Sequence, residues 1–422
     1  MKLHNSIFAF ILVATITSCS YDEGPSIDDY FLNYEIEDVP PTEDCPVGVF
    51  YYNNGGGGLP AVNYARLIEE PDYKEGLVGP WVKPVLQNYR INKDSKESVD
   101  VIQQHVDWCI EAGIDFLILP GWQEANDRLY PRNVQESDTA FTNLVTGRTG
   151  TDGLPRETTG GAFVDMKSLK YILSVNLDRM NDDLSNKVLI EDLPAKPVEG
   201  VLLTRIEHFH DFFKKVSDYF SDPNYYRINN KPVVFLLNAQ RLYAANSEKL
   251  YNDMRAYVKN HCGYDMFLIA QQDAWTPPAR FEYFFVNGKV DAITHKNMYD
   301  QGDYDRSNWY PQLIDQNWKY SKEFFMSHWG IDYIPTIAPA FNKYVQDGAN
   351  NNTYRTPIVP RSDETFITQC NVAKRNLGNT RIVLVNSFNQ WQYDTTIEPT
   401  DPEYGHGYGK RCLEIVKKQF KR

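Results

Sequence analysis

Short apolar runs alternate with longer stretches of helical periodicity along almost the whole of this 422-residue chain, and few folds accept that rhythm. The runs are Val47–Tyr52, Asp115–Leu119, Tyr171–Asn176, Lys231–Leu237, Met266–Ala270, Asp291–His295, Tyr333–Ile337 and Arg381–Ser387. Each is of strand length and is bounded by polar or turn-forming residues. Between them lie helical patterns over Glu97–Gly113, Leu203–Tyr219, Ala245–Cys262, Pro278–Val286, Asp305–Gly330 and Glu364–Leu377, with a closing helix over Tyr404–Lys421. In the first, Val99, Ile102, Val106 and Ile110 make one apolar stripe. An irregular Gly/Thr-rich stretch, Thr146–Gly161, reads as a loop at the mouth of the fold. Eight such units predict an α/β chain folded as a (β/α)8 TIM barrel, one domain with long loops at its C-terminal face. An open doubly wound sheet is the alternative, and it usually carries a phosphate-binding glycine turn after its first strand. The run Asn53–Gly58 lacks both the P-loop Lys-Ser/Thr and the spaced glycines of a dinucleotide fingerprint, so no cofactor is expected.

The N-terminus reads differently. Lys2 precedes the ten-residue apolar run Ile7–Ile16, and small polar residues lead to Cys19. Ten residues are too few to cross about 30 Å of hydrocarbon as a helix. Residues 1–18 are therefore expected to be a removable lipoprotein signal peptide, with Cys19 as the lipidated residue. Residues 19–44, acidic with a Gly-Pro break, would form a flexible tether, and 45–422 the barrel. The expected location is outside the cell's inner compartment, anchored to the outer membrane through the lipid alone, at the cell surface or the periplasmic face.

A net charge of −13 argues against nucleic acid or an anionic membrane as partner, since both need clustered Lys and Arg. The other five cysteines, Cys45, Cys109, Cys262, Cys370 and Cys412, are scattered, with no C-x-x-C. That spacing is no disulfide framework, though it allows one bridge, and no metal is expected. Cys109 and Cys412 fit small core positions. His208 and His210 are two apart on a helix and so face different sides.

In a TIM barrel the functional site lies where the strands end. That rule selects Tyr51, Tyr52, Trp122, Glu124, Asn176, Asn238, Asp273, His295, Tyr299, Asn389 and Trp391 as substrate-binding candidates. Amides, aromatics and carboxylates dominate, and Lys and Arg are scarce. Such a mouth suits a neutral, hydroxyl-rich ligand, an oligo- or polysaccharide, better than a phosphorylated one. The 28 Tyr and 8 Trp supply faces for sugar rings, although they also suit a large core.

The last strand continues into Asn389-Gln390-Trp391-Gln392-Tyr393-Asp394-Thr395-Thr396-Ile397-Glu398-Pro399. This run resembles the N-E-W-x-E-x-T-x-I-E-P pattern of glycoside hydrolase family 99 and the related WbsX-like proteins. Val49–Tyr52, His105–Trp122, Pro335–Pro339 and Glu403–Gly405 resemble further segments of that family. The resemblance implies a barrel acting on glycans with an endo-α-mannosidase-type fold. In the family the two glutamates of N-E-W-x-E carry the reaction, one assisting attack by the sugar's 2-hydroxyl and one serving as acid and base. Here Gln390 and Tyr393 stand in their places. Glutamine takes no proton at neutral pH, and a tyrosine with a reference pKa of about 10 is a poor acid. Asp394 and Glu398 remain beside the motif as further catalytic candidates, with Glu398 equally readable as structural. Asp115 reads as a tether of the barrel. Two readings stay open: a glycoside hydrolase with a displaced catalytic pair, or a non-catalytic glycan-binding lipoprotein.

Overall fold

The computed structural model describes residues 34–53, 82, 84–86, 89, 91, 96–123, 132–149, 154–155, 163–177, 188–198, 200–272, 290–296, 310–341, 359–405 and 407–422. Cys19, Glu124, Asp273, Tyr299, the signal segment, residues 54–58 and the helix expected over 278–286 lie outside them. Residues 36–422 form one compact unit.

Its centre is a parallel sheet made of β1 (Val47–Phe50), β2 (Phe116–Gln123), β3 (Lys170–Asn176), β4 (Lys231–Leu237), β5 (Phe267–Gln272), β6 (Ala292–His295), β7 (Asp332–Tyr333), β8 (Thr336–Ile337) and β9 (Val383–Val385). The order of pairing is β7-β6-β5-β4-β3-β2-β1-β9-β8. The two edges are β7 and β8, separated in sequence only by Ile334 and Pro335. They are halves of one interrupted strand, the first paired to β6 and the second to β9, so the sheet curls round on itself as a (β/α)8 barrel. The expected strand over Tyr333–Ile337 is thus two short ones. The backbone N–H of Leu384 donates to the Pro335 carbonyl across the break at 3.0 Å.

Seven helices pack outside among the described residues: α1 (Lys96–Glu111), α2 (Arg132–Val145), α3 (Arg205–Ser217), α4 (Ser247–Cys262), α5 (Tyr310–Trp329), α6 (Asp363–Arg375) and α7 (Arg411–Phe420). Their starts are chemically marked. Thr204 and Glu207 close a capping box on α3, and Asn246 and Ser362 cap α4 and α6 by accepting from Lys249 and Thr365. Two expectations need correction. The closing helix begins at Arg411, not Tyr404, because Gly405 and Gly409 adopt φ of 56° and 57° and the Thr400 hydroxyl accepts from the Tyr408 and Gly409 N–H groups. Such φ values end a helical path. Moreover, of Thr146–Gly161, expected as a loop at the mouth, residues 146–149 leave α2 at the opposite end, and residues 150–153 and 156–161 lie outside the described residues. The unanticipated helix α2 returns the chain to the other end, where Arg148 bonds Asp222 at 3.1 Å and Asn224 accepts from Tyr171 near the start of β3.

Alternation along the strands sorts side chains into two cores. Phe50, Phe116, Ile118, Ile172, Val233, Phe235, Ile269, Ala292, Ile334, Ile382 and Leu384 fill the barrel itself. The larger core, including Val47, Val49, Leu117, Leu173, Leu236 and Val385, lies between strands and helices. Gly48 is required inside the barrel, since a Cβ there would lie 2.3 Å from the Phe116 ring. Asp115 is a tether: it accepts from the Val47 N–H at 2.6 Å and from Lys421 at 2.7 Å. All five cysteines in the described residues are free, with Cys109 and Cys412 buried. No helix among the described residues is long and apolar enough to cross a membrane.

Candidate functional site at the barrel mouth

The inner face changes character along its length. Below lie the apolar residues of the barrel core. Toward the C-terminal ends the same alternation brings in Tyr52, Ser174, Asn176, Gln271, Thr294, Thr336 and Asn386. None of these carries a formal charge at neutral pH. They are knitted together across strands: Tyr52 Oη donates to Asn386 Oδ1 at 3.3 Å, Ser174 Oγ to the Leu119 carbonyl at 3.1 Å, and the Thr294 and Thr336 hydroxyls lie 2.7 Å apart. Asn238, in the left-handed conformation that asparagine tolerates, reaches Asn176 Oδ1 at 3.0 Å. The result is a floor of amides and hydroxyls above a greasy plug.

A cleft of about 140 Å³ opens on this floor, bordered by Tyr52, Trp122, Ser174, Asn176, Leu237 and Asp138 among others. Its shape depends on a bulge in β2. Leu119 pairs with Leu173 and Trp122 with Val175, so Pro120 and Gly121 together face the single residue Ser174. The bulge resets the alternation. Gln123 pairs with Asn176 along the backbone, and Trp122 borders the cleft with its ring 5.9 Å from that of Tyr219.

Asp138 is a residue that strand-end reasoning did not reach. It lies on α2, four residues before Thr142, whose hydroxyl donates to the Pro120 carbonyl at 2.6 Å. Residues three and four apart share a helix face, so the bond that docks α2 on the bulge also aims Asp138 at the cleft. Phe141, on the same face, stacks on Tyr51 at 5.6 Å. The Asn53 amide reaches Asp138 Oδ1 at 3.5 Å. Burial raises the Asp138 carboxyl to about 6, against a smaller opposite pull from Asn53.

The loop after β9 has two faces. Asn389, Trp391, Asp394 and Glu398 are at most 2 % exposed and point into the protein. Asn389 clamps the end of β1, accepting from the Tyr52 N–H at 2.8 Å and donating to its carbonyl at 3.0 Å. Asp394 is held by Arg361 at 3.0 Å. Glu398 Oε2 accepts from Tyr89 Oη at 2.7 Å and Trp391 Nε1 at 3.0 Å, and its Oε1 lies 3.3 Å from His105 Nε2. These two carboxylates therefore lie inside the protein, away from the cleft. Gln390 and Tyr393 are half-buried; Tyr393 stacks on Phe341 with centroids 5.6 Å apart and an interplanar angle of 11°.

Two other candidates face the helices. Tyr51 meets His105 Nδ1 through its hydroxyl at 2.7 Å. His295 lies 2.7 Å from Gln272 Nε2 and 2.7 Å from Tyr333 Oη, behind the barrel wall. Burial depresses its pKa from 6.5 to about 3. The unfolded imidazole takes up a proton below 6.5 and the folded one does not, so stability is full above that pH and declines as pH falls toward 3. The slope from this group is about 1.4 kcal/mol per pH unit in that window. We expect His295→Gln to flatten the acid side of the stability profile; urea unfolding at about pH 4 and about pH 7 would show it, and an unchanged slope would refute it.

Residues 202–412 match the family model described as Glycosyltransferase WbsX. Among solved structures, a protein described as glycoside hydrolase-like is 25 % identical with a TM-score of 0.68, covering 94 % of this chain and 99 % of its own. The GH99 endo-α-mannosidase of Bacteroides thetaiotaomicron, alone and with bis-tris propane, shares the fold at TM-scores of 0.52 and 0.53. Identity there is 15–16 %, over 90 % of this chain and 97 % of that one. No curated protein matches the chain.

Proposed function

We propose, from the premise that this chain belongs to the WbsX glycosyltransferase family, that it seats a neutral oligosaccharide at the barrel mouth and acts on it as a glycoside hydrolase with altered catalytic residues. The observation that carries this is the uncharged inner ring from Tyr52 to Asn386. Ligand pockets fix orientation with a few placed polar groups, and here those groups are amides and hydroxyls, the complement of sugar hydroxyls. The glycoside hydrolase-like structural relative and the endo-α-mannosidase named above support a glycan as ligand. Gln390 and Tyr393 stand where the family's two glutamates are expected, so chemistry by the familiar pair is not available to this chain.

The test is an array of neutral and acidic glycans, α-mannans included, read for both binding and product release. Capture of neutral glycans supports the proposal; exclusive capture of anionic ones, or none, overturns it. A second reading, binding without turnover, is favoured by the burial of Asp394 and Glu398, and the same assay separates the two.

The N-terminal run supports export as a lipoprotein acylated at Cys19 and anchored to the outer membrane. Labelling cells with a radioactive fatty acid should mark the wild-type protein, and Cys19→Ala should abolish the mark and release the protein from the membrane fraction. Labelling that survives the substitution would refute the anchor.

A further inference from the structure

We propose that Asp138 is the proton donor of the cleft, a role that rests on the reading that this cleft holds a glycan. Three observations on α2 and β2 converge on it. First, Asp138 borders the cleft alongside Tyr52, Trp122 and Asn176. By contrast, Asp394 and Glu398 are buried in the loop after β9 and engaged by Arg361, Tyr89 and Trp391. Second, its position is built rather than incidental. The Thr142–Pro120 hydrogen bond and the Phe141–Tyr51 stack fix the face of α2 on which it stands. Third, the cleft it borders has apolar walls in Phe50, Ile118 and Leu237, and Asp138 accepts from the uncharged amide of Asn53 at 3.5 Å. That setting favours a carboxyl that keeps its proton longer than an ordinary aspartate, which is what an acid catalyst needs.

The step balances as follows. The Asp138 carboxyl gives its proton to the glycosidic oxygen as the bond from that oxygen to the anomeric carbon breaks, and the bonding pair leaves with the oxygen. The sugar alcohol departs as a neutral molecule. Water then forms the new bond to the anomeric carbon from the vacated side, and its surplus proton returns to Asp138. One carboxyl serves twice, no second carboxylate is consumed, and the only co-reactant is water. The ring amides and hydroxyls hold the sugar and take no part in proton transfer.

An acid catalyst is needed in proportion to how poorly the leaving group carries negative charge. Matched hexopyranosides of mannose, glucose and galactose, in both anomers, would be offered to the full-length protein as 2,4-dinitrophenyl glycosides and as unactivated disaccharides. Asp138→Asn keeps shape and hydrogen bonding and removes the proton. Its turnover of disaccharides should fall about 10²- to 10⁴-fold. Turnover of the dinitrophenyl substrates, whose phenolate leaves unaided, should fall less than about tenfold. Equal losses on the two classes, or no loss on either, would overturn the role. Asp138→Glu, which keeps the proton on a longer arm, should retain part of the disaccharide activity, and a loss as deep as that of the Asn variant would count against proton donation. If the wild-type protein binds these sugars but releases nothing from either class, the proton-donor role fails while the glycan reading stands. If it binds none of them, the glycan reading itself fails.

Discussion

Glu398→Ala is expected to cost about 3–5 kcal/mol of folding stability. The side chain is fully buried, so its removal leaves the Trp391 N–H and the Tyr89 hydroxyl without their acceptor and His105 facing a void. Each buried polar group stranded this way costs about 1–3 kcal/mol, and the cavity adds to that. Glu398→Gln keeps an acceptor in the same place and should recover a large part of the loss. The effect also reaches the mouth, because Trp391 belongs to the turn that carries Gln390 and Tyr393. Denaturant unfolding of the two variants provides the check. An alanine variant within about 1 kcal/mol of wild type would show that the network is not holding the loop.

Gly121→Ala should be worse still for the cleft. A Cβ at this position would lie 1.9 Å from the Ser174 carbonyl oxygen, a backbone atom of the neighbouring strand. No rotamer relieves a clash between two main chains, so β2 must move away from β3 or lose the bulge. Destabilisation of at least about 3 kcal/mol follows, in the range that marks backbone conflict and broken packing. Glycan capture should vanish with it, because the bulge both forms the cleft wall beside Ser174 and receives the Thr142 hydroxyl that orients Asp138. A variant with wild-type stability and full capture would mean that the bulge is dispensable.

The strands were readable because burial on both sides of a parallel barrel produces continuous apolar runs; Lys231–Leu237 coincides with β4. Most helices were readable from apolar stripes, as in α1, where Val99, Ile102 and Val106 are buried. Helix α2 was not, and the reason lies with the site. Its first turns, Arg132-Asn-Val-Gln-Glu-Ser-Asp138, carry one apolar residue, and the face turned toward the cleft bears Asp138 where a core helix would place a leucine. A carboxyl aimed at a cleft, in place of an apolar side chain, breaks the pattern that reveals an element. The mouth residues were half legible. Sequence could name Tyr51 and Tyr52 as strand-end neighbours, but only the parity of the pleat shows that Tyr52 faces the axis and Tyr51 faces His105. The bulge at Pro120–Gly121, which the sequence does not announce, shifts the register that brings Trp122 to the cleft. Asn389 and Trp391 look like ligands in the sequence because they are polar or aromatic; in the fold they clamp the loop to β1 and to Glu398.

The parity of the pleat also insulates two behaviours from each other. His295, whose burial is expected to cost stability in acid, stands one strand's thickness behind the surface that a ligand would touch. Protonating this imidazole can therefore loosen the wall from its outer side without touching the amides and hydroxyls of the lumen. Conversely, the lumen can be rebuilt for a different guest without disturbing the imidazole whose burial ties stability to pH.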